Sequence, residues 1–368
     1  MPSHTTVLNW TKKQGISQFM NFEFYNHQKW VLIADESIQF GNKKLLLVLA
    51  VPEYRCSQSK PLSFKDLTPL VLKVSASWKS DAIAAEIKQN IDLNQIAYCI
   101  SDTGSNLTRS FKLLNCKYIS DVNHKFSLII QSVYEKNKSL DEYTKALSLL
   151  RAQKSMSRIA RIVPPNQRIM NRFMNLTPLF EWGIKMIHLL DNNELHDEEK
   201  AVLSFLEPLR DFINETYKIL ICLQEMKKVL KNKGFDDKSA KEAMNIFSKI
   251  NTNSVNSLNV KKLIDEYFDD LSTTSKGKTV CCSSDIIESC FSKQKEIGKG
   301  NKTVGISDLC LCIAAMMGQN NTEKTRQAME TISIKKVKEW KRKNVCKTLF
   351  AEKIELNKIR ERNYYRKQ

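Results

Sequence analysis

Glycine and proline are scarce, 10 and 8 among 368 residues, so the chain is neither a collagen-like repeat nor a flexible linker protein. Long apolar runs are missing too. The longest, LLLVLAV from Leu45 to Val51, falls well short of the roughly 20 residues a membrane helix needs, and no transmembrane segment is expected. The N-terminal MPSHTTVLNWTKKQG lacks the apolar stretch of a signal peptide, which assigns the ten cysteines to a reducing, cytoplasmic compartment as thiols. No C-x-x-C occurs, and Cys281-Cys282 and Cys310-x-Cys312 are too closely spaced for a paired zinc framework, so a zinc ribbon is excluded. A G-x-x-x-x-G-K-[ST] phosphate loop is absent, and an ATP-driven motor is not expected.

Negative charge is also in deficit. With 58 Lys+Arg against 40 Asp+Glu the formal net charge is +18, which favours a polyanionic partner through counterion release, nucleic acid by default. Half of that excess lies between Lys335 and Gln368. Lys335, Lys336, Lys338, Lys341, Arg342 and Lys343 are the candidate phosphate contacts, while Trp340, Leu349, Phe350, Ile354 and Ile359 recur at near-helical spacing and predict that part of this basic tail docks. A hydrophobic content of 42% supports buried cores, in two domains or one large one.

Residues 1–15 read as a short helix stopped by Gly15. WVLIAD and KKLLLVLAVPE, separated by SIQFGN, read as two strands, and Leu70–Val74 as a third. A helix over Ser80–Asn90, a strand IAYCIS, a helix over Leu107–Leu114 and a strand over Lys117–Ser120 follow. The order β-β-β-α-β-α-β predicts an antiparallel meander with parallel additions, a mixed five-stranded sheet in an α/β fold. From about His124 to Asp270 the pattern is all-helical, and SSDIIESCFSKQK opens a further helix.

Asp35 ends the first strand and Asp102 the fourth. Neighbouring strands one and four would bring these carboxylates together, and paired hard oxygen ligands suit Mg²⁺ or Mn²⁺. Two such ions clamp an in-line displacement at phosphorus, the chemistry of polynucleotidyl transfer. The plainer reading makes Asp102 a helix cap and Asp35 a turn residue.

WVLIADESIQFGNKKLLLVLAVPE and IAYCISDTGSNLTRSFKLLNCKYISDVNHKF resemble the catalytic core of bacterial insertion-sequence transposases with an Asp-Asp-Glu triad, of the RNase H-like, retroviral-integrase superfamily. SSDIIESCFSKQK resembles the motif that carries their third acid. The resemblance runs from Lys29 to about Phe126 and again over Ser283–Lys295. It implies Asp35, Asp102 and Glu288 as catalytic and metal-binding acids, with an all-helical insertion accounting for the 186 residues between the last two. Among the nearby acids, Asp285 is better placed to cap its helix and Glu296 to face solvent, whereas Ile287 and Phe291 can anchor the helix and leave Glu288 beside the strand ends.

Asp121-Val-Asn-His124 resembles the Cys-or-Asp-x-x-His element of hAT-like transposases, which implies a DNA-positioning role for His124. Alternatively His124 is a buried, hydrogen-bonded residue at a helix start, with Asp121 orienting its ring or capping the helix. PSHTTVLNWTKKQG resembles the closing helix of a helix-turn-helix. The implied organisation is a helix-turn-helix remnant (1–20), the core's first part (28–126), a helical insertion (127–280), the core's final helices (281–318) and a basic helical tail (319–368).

The resemblance further implies DNA strand cleavage and strand transfer with two Mg²⁺ or Mn²⁺ ions, transposon-end and target DNA as partners, a homodimer or higher oligomer, and a cytoplasmic, nucleoid-associated location. The competing readings are a hydrolysis-only nuclease of the same fold, an inert DNA-binding remnant, and a helical protein-binding scaffold.

Overall fold

The computed structural model describes the chain except residues 21–27, 39–42, 168–172, 174, 251–253, 299–306, 346–352, 355 and 360–368. It divides into two compact units, Met1–Asp121 with Cys282–Gln368, and Val122–Cys281.

The first unit opens with α1 (His4–Met20), β1 (Trp30–Ile38), β2 (Lys44–Pro52), α2 (Glu53–Cys56), β3 (Thr68–Ser75), α3 (Ser80–Asn90), β4 (Ile96–Ser101), α4 (Ser105–Leu113) and β5 (Tyr118–Ser120). These strands form one mixed sheet in the order β3-β2-β1-β4-β5. β1 and β2, and β2 and β3, pair antiparallel; β4 joins β1 in parallel and β5 joins β4 in parallel. The chemistry of the connections dictates this: short links return the chain antiparallel, whereas α3 and α4 carry it across the sheet to parallel positions.

The central strands are buried on both faces. Leu32, Ala34, Leu46 and Val48 pack with Ile83, Ile87, Leu107 and Phe111 on one side. The alternate residues Val31, Ile33, Leu45, Leu47 and Leu49, equally buried, point to the other. Two-sided burial explains why β1 and β2 read as continuous apolar runs and not as alternating ones.

The second unit is helical: α5 (Val122–Tyr134), α6 (Lys138–Lys154), α7 (Thr177–Asp191), α8 (Asp197–Leu203), α9 (Arg210–Lys233), α10 (Asp237–Ser248) and α11 (Val255–Ser275). α9 packs against α5, α7 and α10. Pro178 lies in the first turn of α7, which has no use for the N–H that proline lacks. Tyr143, Phe180, Phe212 and Tyr134 form a chain of tilted and edge-to-face ring contacts, with centroids 5.1, 5.8 and 6.2 Å apart. A bridge between Phe235 and Val280 closes the unit.

The first unit resumes with α12 (Asp285–Gly298), α13 (Leu311–Ala315), α14 (Thr322–Thr331) and α15 (Ile334–Asn344). α12 packs on β1, while α1, α13 and α15 pack on β3. On α15 Val337 is buried and the Trp340 ring lies 6.4 Å from that of Phe19, so this part of the tail docks as its apolar spacing predicts. The docking does not extend to Ile354 and Ile359, which are 41% and 48% exposed; Leu349 and Phe350 lie outside the described residues. Among the described residues no helix is long and apolar enough to cross a membrane, and nine cysteines stand as thiols.

The helix stop expected at Gly15 is corrected: α1 continues through it to Met20. Gly15 is a packing residue, since a Cβ there would stand 2.3 Å from the Leu311 carbonyl oxygen. Around this close approach Lys12 pairs with Asp308 at 3.0 Å, and the Gln14 and Gln18 amides donate to Asn320 Oδ1 at 2.8 and 2.9 Å. In a free helix Gly15→Ala would gain roughly 1 kcal/mol of propensity. Here the backbone collision outweighs it, and the variant should lose about 1–3 kcal/mol in urea unfolding. A stabilised variant would contradict the close approach of α1 and α13.

Candidate functional site

The parallel register of β1 and β4 builds the first half of the site. Ile33 stands opposite Ile100, and continuing two residues along each chain brings Asp35 alongside Asp102. The strand end and turn expected at Asp35 are corrected: β1 continues to Ile38, with Asp35 paired to Leu47 of β2, and only Asp102 stands just past the end of its strand. Alternation from Leu32 and Ala34 sends Asp35 to the sheet face that receives α12. Its Oδ1 accepts the Glu36 N–H at 2.7 Å. Asp102 Oδ1 accepts the Gly104 N–H at 3.0 Å, the geometry of an Asx turn ahead of α4. The turn role and the site position therefore coexist in one residue. A Cβ on Gly104 would come within 2.9 Å of Asp102 Oδ1, so the glycine leaves room for the carboxylate. The Asp102 carbonyl oxygen accepts the hydroxyls of Ser101 and Tyr118 at 2.7 and 2.9 Å, which fixes its backbone.

The third acid comes from α12. Ile287, Cys290 and Phe291 are buried, as their helical spacing predicts, and Glu288 and Glu296 are exposed. The capping role expected of Asp285 is corrected. The helix begins at Asp285 itself, so its carboxylate lies in the first turn, and the Ser283 hydroxyl accepts the Asp285 N–H at 3.3 Å. In that turn a carboxylate still favours the positive end of the helix dipole. Ser284 directs both its N–H and its hydroxyl to Asp121 Oδ2, at 2.7 and 3.0 Å.

The charges of the other two acids act on Asp35. The Asp35 carboxyl is pushed up to about 7, first by burial and then by the negative charge of Asp102. The Glu36 N–H acts in the opposite direction, and the charges of Glu288 and Glu36 raise it further. Glu288, alone of the three α12 acids, stands among the main contributors. Such an arrangement of hard oxygen donors carries more negative charge than it can comfortably hold, and a cation or a proton relieves it. Among the described residues no three His, Cys, Asp or Glu side chains already form a group that could hold a metal ion.

His124 lies half-buried in the first turn of α5, in the helical unit. Lys335, Lys336, Lys338, Lys341, Arg342 and Lys343 are all exposed on α15, in the unit that holds the acids. The pairing of Asp121 with Ser284, across a separation of 163 residues, has no signature in local spacing. Its one sequence signal is a carboxylate placed directly after the fifth strand.

No family model matches the chain, and no curated protein matches it.

Asp35 also sets a pH dependence. Its folded-state pKa lies above that of the unfolded chain, so the fold binds its proton more tightly and loses stability as pH rises from about 4 to about 7. Replacing Asp35 with Asn removes that loss. The stability of Asp35→Asn relative to wild type, measured by urea unfolding in chelator, should climb by about 1.4 kcal/mol per pH unit across this window and level off above it. Parallel pH profiles for the two proteins would refute the charge crowding at Asp35.

Proposed function

We propose that the first unit is an RNase H-like catalytic core and that the chain is a DNA transposase, cutting DNA strands and joining them in successive in-line attacks by water and then a 3′-hydroxyl. The observation that carries this reading is the placement of Asp35 beside Asp102 by the parallel pairing of β1 with β4, supported by the charges of Asp102 and Glu288 acting together on the Asp35 carboxyl. The strand order β3-β2-β1-β4-β5, with three antiparallel strands followed by two parallel ones, supports the same fold.

The donor set fits a hard divalent cation: three carboxylates, no thiolate, and a repulsion that such a cation cancels. Asp35, within β1, and Asp102, just past β4, are short side chains on neighbouring paired strands and would supply the rigid part of the shell. Glu288, longer and exposed on α12, would supply the third carboxylate. Mg²⁺ or Mn²⁺ bound there supplies Lewis-acid stabilisation of the attacking and leaving oxygens. The chain's own contribution is orientation: the Gly104 N–H and the Tyr118 hydroxyl hold Asp102, and the Glu36 N–H holds Asp35.

The exposed bases of α15 suit DNA phosphates, which fix orientation without reading sequence. Transposon-end and target DNA are the partners in this reading, bound by a homodimer or larger assembly in the nucleoid-associated cytoplasm, with His124 of the Asp-x-x-His element assisting strand placement.

Cleavage and strand transfer of a labelled duplex in Mg²⁺ or Mn²⁺ test the assignment. Asp35→Asn, Asp102→Asn and Glu288→Gln should each lose cleavage by orders of magnitude while still binding DNA. Glu296→Gln should stay close to wild type, and Asp285→Asn should cost mainly stability, about 0.3–1 kcal/mol. Wild-type cleavage in any of the first three variants overturns the triad. Cleavage without joining identifies a hydrolytic nuclease instead.

DNA affinity should fall steeply with salt. Changing the six bases of α15 to Gln should lower the slope of log K against log salt by roughly 0.9 for each phosphate no longer neutralised, similarly for unrelated sequences. An unchanged slope would make α15 a solvated helix and no part of the DNA surface.

A further inference from the structure

We propose that Asp121 is a positioning residue for the candidate site, acting through Ser284 on the helix that carries Glu288; the inference rests on the three-acid reading above. Asp121 is 1% exposed and follows β5 directly. Its N–H donates to the Ser101 carbonyl oxygen at 2.8 Å, which anchors it to the end of β4, one residue before Asp102. Its backbone is therefore tied to the end of β4, beside Asp102.

The other end of the clamp is Ser284, itself buried. The first turn of α12 hangs from this residue, because its carbonyl oxygen accepts the Ile287 N–H at 2.9 Å. With the Ser284 hydroxyl turned to Asp121, the Ser283 hydroxyl takes over the capping contact to the Asp285 N–H. Glu288 lies one helical turn beyond Ser284.

Chain connectivity cannot set this placement, since the helical unit separates Asp121 from Ser284 by 163 positions. Two hydrogen bonds to a single carboxyl oxygen can. A buried N–H deprived of its acceptor does not stay where it was. Asp121 thus fixes where α12 starts, and so the depth at which Glu288 approaches Asp35 and Asp102.

The experiment uses the full chain and two readings: hydrogen exchange of α12 relative to β1, and Mn²⁺ affinity by calorimetry. Asp121→Ala should speed exchange in the first turns of α12, leave β1 protected, and weaken Mn²⁺ binding about 10- to 100-fold, the usual effect of removing a group that orients a ligand. Asp121→Asn keeps an oxygen that can accept both Ser284 bonds, and should stay within about threefold of wild type. Ser284→Ala removes one bond of the two and should fall between them; it also decides the matter if Asp121→Ala does not fold. Wild-type exchange and Mn²⁺ affinity in a folded Asp121→Ala or Ser284→Ala protein overturn the proposal. Equal losses of affinity in Asp121→Ala and Asp121→Asn, with α12 still protected in both, overturn it as well, since the carboxylate would then act by charge and not by position. If wild-type protein binds no Mn²⁺, the three-acid reading falls, and α12 exchange alone decides whether the clamp holds the helix.

Discussion

The parallel pairing of β4 with β1 is the contact on which the candidate site depends. β2 and β3 could form a sheet with β1 by simple reversal, and Asp35 would then stand on an edge strand without Asp102 beside it. Carrying the chain through α3 and back beside β1 places a second carboxylate at the same level. The crossover costs loop-closure entropy, which the apolar contacts of Ile83, Ile87, Leu107 and Phe111 with the sheet offset. A core-packing arrangement is in this way also what brings two like charges together against their repulsion.

The sheet was readable in the sequence because its physics is local. WVLIAD and LLLVLAV are apolar without interruption, the pattern that two-sided burial imposes, and the helical spacing between IAYCIS and its neighbours fixed which strands had to run parallel. The helix register of SSDIIESCFSKQK was readable for the same reason: Ile287, Cys290 and Phe291 could face only the core, which left Glu288 beside them.

What escaped reading depends on contacts distant in sequence. Gly15 looked like a stop because glycine destabilises helices, yet the cost of glycine is tolerated where another backbone approaches as closely as that of Leu311. Asp285 looked like a cap because Ser283 and Ser284 precede it, and only the engagement of Ser284 by Asp121 shifts the capping contact back to Ser283. Ile354 and Ile359 kept a helical rhythm without a surface to bury them. Periodicity identifies a face; it does not supply a partner.

Charge is distributed in two opposed ways within the first unit. The chain as a whole is strongly basic, yet around Asp35 acids crowd until it holds its proton near neutrality. A phosphodiester approaching those carboxylates unaided is repelled, so the acids that serve the proposed chemistry cannot also be the source of affinity. Attraction has to come from surfaces on which bases far outnumber acids, and α15, whose six exposed bases face the opposition of Glu339 alone within the helix, meets that condition. On the proposed reading, separating the two functions would let each be extreme: a basic surface outside the reaction could be strong and unspecific, and an acidic site relieved of holding DNA by itself could concentrate charge.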